Sequence, residues 1–194
     1  MHYRYILALV FTMVLPPVLM FWMVVHPFIG FWRKLGLRWT YGILVAAMGA
    51  GAAVLFHFRR PLLAVDFGEN RALQAAGGVC VALSLILRVM VGRKFSMAQI
   101  IGVPEIAPQE HPGKLMTAGI YAHIRHPRYV QLFLGLAGGA LVANHLASYV
   151  ATALWLPGIW IIVGLEEKEL CKRFGAAYED YRRRVPGFIP RMRL

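Results

Sequence analysis

Five apolar runs divide the chain. Ile6 to Val25 and Trp39 to Phe58 are each 20 residues without a charge, enough at ~1.5 Å rise per residue to cross a hydrocarbon core of roughly 30 Å. Leu73 to Val91 is a third run, with Arg88 near its end, where a long side chain can snorkel to the interface. Tyr129 to Ala143 and Leu146 to Leu165 are a fourth and a fifth, separated only by Asn144 and His145. That spacing predicts a tight helical hairpin with a short first arm. In lipid every backbone N–H and C=O needs an internal partner, so all five runs are predicted to be helices. The pattern specifies an all-α integral membrane bundle of about five transmembrane helices, one membrane domain over residues 1–194.

Details within the runs sharpen this picture. Pro16-Pro17 in the middle of the first predicts a kink or break, because proline has no N–H for the helical ladder. The first run is longer than the apolar core of a signal peptide, and no A-x-A-like site follows before His26-Pro27, so it is expected to remain in the mature chain. Ala46 with Ala50, Ala47 with Gly51, and Gly135 with Gly139 stand at the four-residue spacing that lets helices approach closely. Beyond Leu165, the residues Leu170, Phe174, Ala177, Tyr178 and Tyr181 share one helical face, with Lys172, Arg173, Glu179 and Arg182 to Arg184 elsewhere. This predicts either an extension of the fifth helix or a cytoplasmic amphipathic helix at the interface, stopped by Pro186-Gly187. The apolar Phe188-Ile189-Pro190 is expected to fold back onto the bundle.

Composition agrees, at 59% apolar residues, but the net charge of +12 needs a reason. With five spans, sixteen Lys and Arg fall in the first loop, the third loop and the C-terminal tail, against four on the opposite face: Arg4, Arg59, Arg60 and Arg71. Positive residues accumulate on the cytoplasmic side. The N-terminus is therefore expected outside and the C-terminus inside. That asymmetry accounts for the excess charge without nucleic acid, and anionic headgroups are the nearer partner. Cys80 lies mid-span and Cys171 in the tail, so no disulfide is expected between them, and there is no C-x-x-C metal signature.

The chain changes character at residue 92. Residues 1–91 are three spans joined by short basic loops, whereas Gly92 to Arg128 is a polar segment rich in Pro, Gly and His, longer than a connection requires. The chemistry is accordingly sought in 92–194. Two clusters stand out: Gly119 to Tyr129, containing Arg125-His126-Pro127, and Glu166-Glu167-Lys168-Glu169. A hairpin of the fourth and fifth spans brings its open ends together, so an Arg-His pair and a Glu pair are expected to meet at one depth. A plainer reading makes Arg125, His126 and Arg128 headgroup anchors and the acids solvated residues at a helix end. Carboxylates at a helix C-terminus are electrostatically unfavourable unless the helix continues, which favours the first reading. His123 and His126 are three apart with His111 upstream, yet no H-E-x-x-H or H-x-x-x-H occurs and Pro127 interrupts the helix that would align them, so no metal site is expected.

The stretch from Lys114 to Tyr129, with its G-x-Y-x-x-x-R-H-P-x-Y core, is followed about 40 residues on by Glu166-Glu167 and then by Phe174-Gly175-x-x-Tyr178-x-x-Tyr181-x-x-x-Val185-Pro186. In that order these motifs resemble the isoprenylcysteine carboxyl methyltransferase family of membrane enzymes and its phospholipid methyltransferase relatives, over roughly residues 92 to 190. The resemblance implies methyl transfer from S-adenosylmethionine to a lipid or prenylated small-molecule or peptide acceptor. By the same resemblance, Lys114, Leu115, Met116, Tyr121, His126, Pro127, Tyr129 and Glu166 line the cofactor pocket, and Arg125 with its partner Glu167 is assigned to catalysis. Two positions depart from the pattern. Gln131 stands where close relatives have Gly, which narrows the pocket, and Ile162 stands where eukaryotic members carry an Arg that addresses the substrate. Two other readings remain at this stage: an NADPH-dependent membrane reductase of the sterol-reductase type, which shares the R-H-P-x-Y pattern, and a small scaffold or channel subunit, whose usual mark is a polar residue lining a mid-bilayer pore.

Overall fold

A computed structural model describes residues 2–92, 106 and 114–189. Most of the polar segment before Lys114, His111 included, lies outside the described residues, as does Pro190. The described chain is helical: α1 (His2–Val25), α2 (Ile29–Leu35), α3 (Leu37–His57), α4 (Arg59–Leu62), α5 (Arg71–Gly92), a 3-10 turn (Gly119–Ala122), α6 (Pro127–Ala143), α7 (Leu146–Phe174) and α8 (Ala176–Arg184). Among the described residues, four helices are long and apolar enough to cross a membrane: Tyr3–Val25, Leu37–His57, Arg71–Gly92 and Leu146–Phe174. The fourth apolar run of the sequence forms α6, whose 17 residues span about 25 Å at ~1.5 Å per residue.

Proline does not break α1. The helix runs unbroken through Pro16 and Pro17, packed against α3, α6 and α7, as membrane helices tolerate proline where neighbours enclose them. The main core lies between α1, α6 and α7, where Phe11, Leu19, Leu136, Ala140, Trp155, Ile159, Ile162 and Val163 are buried together. Outward-facing Trp39, Val45, Val54, Leu85, Ile86 and Trp160 are exposed, an apolar exterior suited to lipid.

Glycine lets α5 and α6 meet backbone to backbone. A Cβ placed on Gly77 of α5 would stand 2.6 Å from the Gly138 carbonyl oxygen, and one on Gly138 of α6 would stand 2.7 Å from the Gly77 carbonyl oxygen. The two backbones touch only because neither residue has a side chain. Gly135, expected to serve packing, faces Ser84, and Gly139 faces the Phe11 ring. On α3 the small-residue stripe behaves differently: Gly51 meets Pro17 at 3.7 Å, but Ala46, Ala47 and Ala50 are exposed.

The α6–α7 hairpin is fastened at its turn. Asn144 takes the left-handed conformation (φ 50°) that closes α6, one of the few non-glycine residues suited to it. Its side chain donates to the Gly68 carbonyl at 2.9 Å and accepts from the Tyr149 hydroxyl at 2.8 Å. An isolated antiparallel bridge joins His145 to Asp66. Arg4 of α1, buried at 3% exposure, donates Nε to the Ala143 carbonyl at 3.1 Å and pairs with Asp66. One end of the bundle is thus locked around a buried guanidinium.

Candidate functional site

Counted from the Asn144-His145 turn, Arg125 and His126 stand 18 to 19 residues back and Glu166 and Glu167 stand 21 to 22 residues on. Two antiparallel arms of nearly equal length therefore end together. His126 is the N-cap residue of α6, with Pro127 in the first helical turn, where the missing N–H costs nothing. Because α7 continues to Phe174, Glu166 and Glu167 lie about two turns inside a helix, clear of the unfavourable negative end.

Glu167 is the hub. Its Oε1 lies 2.7 Å from Arg125 Nη2 and 2.9 Å from His126 Nε2, which donates, since an ionised carboxylate only accepts. Its Oε2 lies 3.9 Å from Arg182 Nη1 on α8. Arg125 also donates Nη1 to the Arg182 carbonyl at 2.8 Å. The backbone N–H groups of Arg125 and His126 each donate at 2.9 Å, to the Pro186 and Gly187 carbonyls respectively. Three segments distant in sequence are stitched together here. Beside them the Tyr129 hydroxyl donates to Glu166 Oε2 at 2.8 Å.

The tail closes over this cluster. Phe188 packs on the main core, its ring centroid 5.5 Å from that of His126 and 6.4 Å from that of Trp160, so the expected fold-back occurs at Phe188, while Ile189 is 80% exposed. On α8, Tyr178 and Tyr181 are buried with Val185 against Leu115, Leu170, Cys171 and Phe174. The Tyr181 hydroxyl donates to the Tyr121 carbonyl at 2.7 Å. Burial pushes the Tyr181 hydroxyl up to about 12, with Arg125 opposing. Burial, reinforced by the nearby glutamates, raises Tyr121 and Tyr178 as well. All three remain protonated donors at neutral pH. Among the described residues, three buried donors have no hydrogen-bond partner: Arg125 Nε and the Tyr178 hydroxyl here, and Trp155 Nε1 deeper in the bundle.

Of the residues singled out in the sequence, Arg125, His126, Pro127, Tyr129, Glu166 and Glu167 come together at the hairpin mouth. Tyr121 joins them through Tyr181, and Leu115 through the α8 tyrosines. Lys114 is exposed and Met116 half-buried. Gln131 is tied to α5 by a bond from its Nε2 to Ser84 Oγ at 3.1 Å, and Ile162 is core. No group of His, Cys, Asp and Glu able to hold a metal ion occurs among the described residues.

Sequence reasoning missed His26. Just beyond α1, its ring stacks on Trp22 at 5.4 Å, and it senses the charges of Glu166 and Glu169. Burial holds its imidazole below the ordinary value against the pull of those carboxylates, so it is uncharged at neutral pH. Nothing in its local sequence links it to residues 140 positions away.

A cavity of about 270 Å³ adjoins the hairpin mouth, lined by Val18, Trp22, Arg88, Arg128, Tyr129, Gln131, Leu132, Trp155 and Ile162. A second, of about 280 Å³, lies between α1 and α7 and is lined by Pro16, Leu19, Met20, Met23, Ala151, Leu154 and Trp155. Tyr129 thus has its hydroxyl on Glu166 and also forms part of the first cavity's wall.

Residues 73–177 match the family model described as phospholipid methyltransferase. Among curated proteins, the chain is 32% identical over 157 residues to a protein-S-isoprenylcysteine O-methyltransferase of Schizosaccharomyces pombe, covering 77% of this chain and 64% of that one. It is 38% identical over 74 residues to methanethiol S-methyltransferase 2 of Bradyrhizobium diazoefficiens, covering 38% of this chain and 27% of the relative. A probable protein-S-isoprenylcysteine O-methyltransferase of Oryza sativa is 29% identical over 146 residues, covering 71% of this chain and 72% of that one. The chain therefore spans just under two thirds of the yeast relative's length and little more than a quarter of the Bradyrhizobium one. No solved structure matches significantly.

Proposed function

The chain belongs to the phospholipid methyltransferase family, and from that premise we propose that it is an S-adenosylmethionine-dependent membrane methyltransferase whose acceptor is lipid-embedded, with the carboxylate of an isoprenylcysteine-like molecule receiving the methyl group. The observation that carries this reading is the pairing of Arg125 and His126 with Glu167, beside Tyr129 on Glu166, where the two arms of the hairpin end.

The donor set suits the cofactor. A carboxylate, Glu166, stands beside the aromatic Tyr129, and such faces attract a sulfonium cation. Arg125 Nε and the Tyr178 hydroxyl are buried donors still without partners among the described residues, and a methionine carboxylate offers the acceptors they lack. When bound, the cofactor supplies an electrophilic methyl group. Glu166, oriented by the Tyr129 hydroxyl, holds the amino or ribose portion. Tyr121 and Tyr129 face the cationic centre, while Lys114, Leu115, Met116, His126 and Pro127 complete the pocket wall. Arg125 and Glu167 form the catalytic edge: Glu167 and the Arg182 carbonyl fix the guanidinium, whose remaining Nη N–H groups hold the acceptor carboxylate in line. A carboxylate acceptor is already ionised at neutral pH, so alignment and exclusion of water matter more than a strong base.

In this reading residues 1–194 form one membrane domain, α6 is a fifth crossing, and α8 lies along the cytoplasmic interface as an amphipathic helix. The N-terminus is outside, and the C-terminus and site are cytoplasmic, as the asymmetry of Lys and Arg supports. The test is incubation of membranes containing the full chain with radiolabelled S-adenosylmethionine, followed by identification of the labelled lipid. Calorimetry in detergent with both cofactors separates the reductase reading: NADPH binding without S-adenosylmethionine binding overturns this proposal.

A further inference from the structure

The bonds between Gln131 and Ser84 fix which way the Gln131 side chain points. The Ser84 hydroxyl donates to the Gln131 backbone carbonyl at 2.8 Å, which uses its single hydrogen. The side-chain atom that meets Ser84 Oγ at 3.1 Å must therefore be a donor, the amide nitrogen Nε2. The amide oxygen, Oε1, is turned away from Ser84. Ser84 itself has little freedom, being 5% exposed and so close to α6 that a Cβ on Gly135 would stand 2.9 Å from its Oγ. An amide anchored in this way keeps one orientation.

Gln131 also lines the cavity of about 270 Å³ beside the hairpin mouth. Its surroundings there leave Oε1 unanswered. Arg88 and Arg128 can only donate, the Tyr129 hydroxyl gives its hydrogen to Glu166, and Val18, Leu132 and Ile162 are hydrocarbon. Among the described residues the side chain has one hydrogen bond, the one from Nε2 to Ser84, so Oε1 is an acceptor without a donor. Gln131 lies two residues beyond Tyr129, about 3 Å along the α6 axis at ~1.5 Å per residue. This acceptor is thus next to the wall that Tyr129 contributes. An amide oxygen in a largely apolar wall is costly to leave unpaired, and a donor on a bound molecule removes that cost.

We propose that Gln131 is a specificity residue whose Oε1 accepts a hydrogen bond from an amide N–H on the methyl acceptor, so that molecules carrying that N–H beside the methylated group are selected over those lacking it. This rests on the methyl-transfer reading above and adds to it the feature of the acceptor that is read. A cysteine joined to an acyl group or a peptide presents its amide N–H next to its carboxylate, one group for Gln131 and the other for Arg125. A simple thiol or fatty acid presents no such donor. A site built to hydrogen-bond an N–H disfavours the analogue without it, because the site's own polar atom is then left unpaired.

The test uses the full chain in detergent with N-acetyl-S-farnesylcysteine and its acetoxy counterpart, in which an ester oxygen replaces the amide N–H while carboxylate and tail are unchanged. Binding is read by quenching of tryptophan fluorescence, since Trp22 and Trp155 line the cavity. The parent is expected to bind the acetamido acid about fivefold more tightly than the acetoxy acid, the scale of one neutral hydrogen bond. Gln131→Met keeps the chain length and the Ser84 bond to the backbone carbonyl, and should bring the acetamido acid down to the affinity of the acetoxy one. Ser84→Ala frees the amide to turn and should keep only part of the preference. In turnover the preference should appear in KM and not in kcat. Equal binding of the two acids by the parent, failure to bind either, or an undiminished preference in either variant would overturn the proposal, and the parent comparison depends on no variant's folding. If the parent prefers the acetamido acid but does not bind S-adenosylmethionine in calorimetry, the cofactor reading fails and the Gln131 contact stands; if it binds the cofactor and treats the two acids alike, the contact alone fails.

Discussion

Arg125 and Glu167 meet at 2.7 Å, although 42 residues and a complete helical hairpin separate them in the chain. Both side chains are largely buried, and His126 shares the same carboxylate oxygen. Removing the charge of Glu167 leaves a guanidinium in a dry place without its counter-ion, a change that typically costs about 3–5 kcal/mol for a fully buried pair. Glu167→Gln and Arg125→Ala are each expected to lower methyl transfer at least a hundredfold, roughly 2.7 kcal/mol in barrier. The double variant should be little worse than either single one, because the two act as a unit. Initial rates with labelled cofactor check this, and near-parental turnover in either single variant would place catalysis elsewhere.

Tyr129 reaches Glu166 through one atom. Its hydroxyl donates to Glu166 at 2.8 Å, and a hydrogen bond to a charged acceptor contributes about 1.5–3 kcal/mol. Tyr129→Phe keeps the ring and loses that bond. Affinity for S-adenosylmethionine should fall about tenfold or more, measured by calorimetry, with the melting temperature nearly unchanged. An unaltered dissociation constant would remove Glu166 from the cofactor pocket.

The order of helices was legible because run length and charge are local properties: all five apolar runs became helices, and the hairpin turn fell at Asn144-His145. The two halves of the site were legible because each is a compact motif, and the hairpin forces their meeting. What the sequence hid depends on pairing across distance. Arg4 finds Asp66 some 62 residues away, and His26 reaches the field of Glu166, with no periodicity to announce either contact. The Gly77–Gly138 contact escaped notice because only the register of α5 on α6 selects one glycine among several. Proline misled in part for a related reason. A rule framed for isolated helices predicts a kink or break at Pro16-Pro17, and the break does not occur in α1, which is continuous and packed by three neighbours.

The Arg4–Asp66 lock makes stability sensitive to acid. Burial by itself would push the Asp66 carboxyl up, but the Gly68 N–H, Arg4 and His145 together hold it below the ordinary carboxylate value. A group depressed in the folded state favours folding above its unfolded pKa, about 4, and that contribution is lost as pH falls through the folded value. The melting temperature of the parent in detergent should be level above about pH 5 and decline below pH 4. Asp66→Asn should melt lower at neutral pH and lack much of that decline. Parallel pH profiles for the two proteins would count against the lock.

Phe188 and Ile189 are neighbours with opposite surroundings, which makes them a matched pair. Phe188 lies against His126 and Trp160 and on the main core, while Ile189 is 80% exposed. If the tail holds the Arg125-His126 edge in place from above, Phe188→Ala removes the packing that keeps the Pro186 and Gly187 carbonyls on the Arg125 and His126 N–H groups. A large-to-small change at a part-buried aromatic costs about 1–3 kcal/mol, much of it local to this strap. Cofactor affinity should therefore fall several-fold in Phe188→Ala and stay at the parent value in Ile189→Ala, with protease cleavage near Val185 accelerated only in the former. Equal affinities in the two variants would mean that the strap covers the site without shaping it, since the packing lost at Phe188 would then have no route to the carboxylate that Arg125 and His126 share.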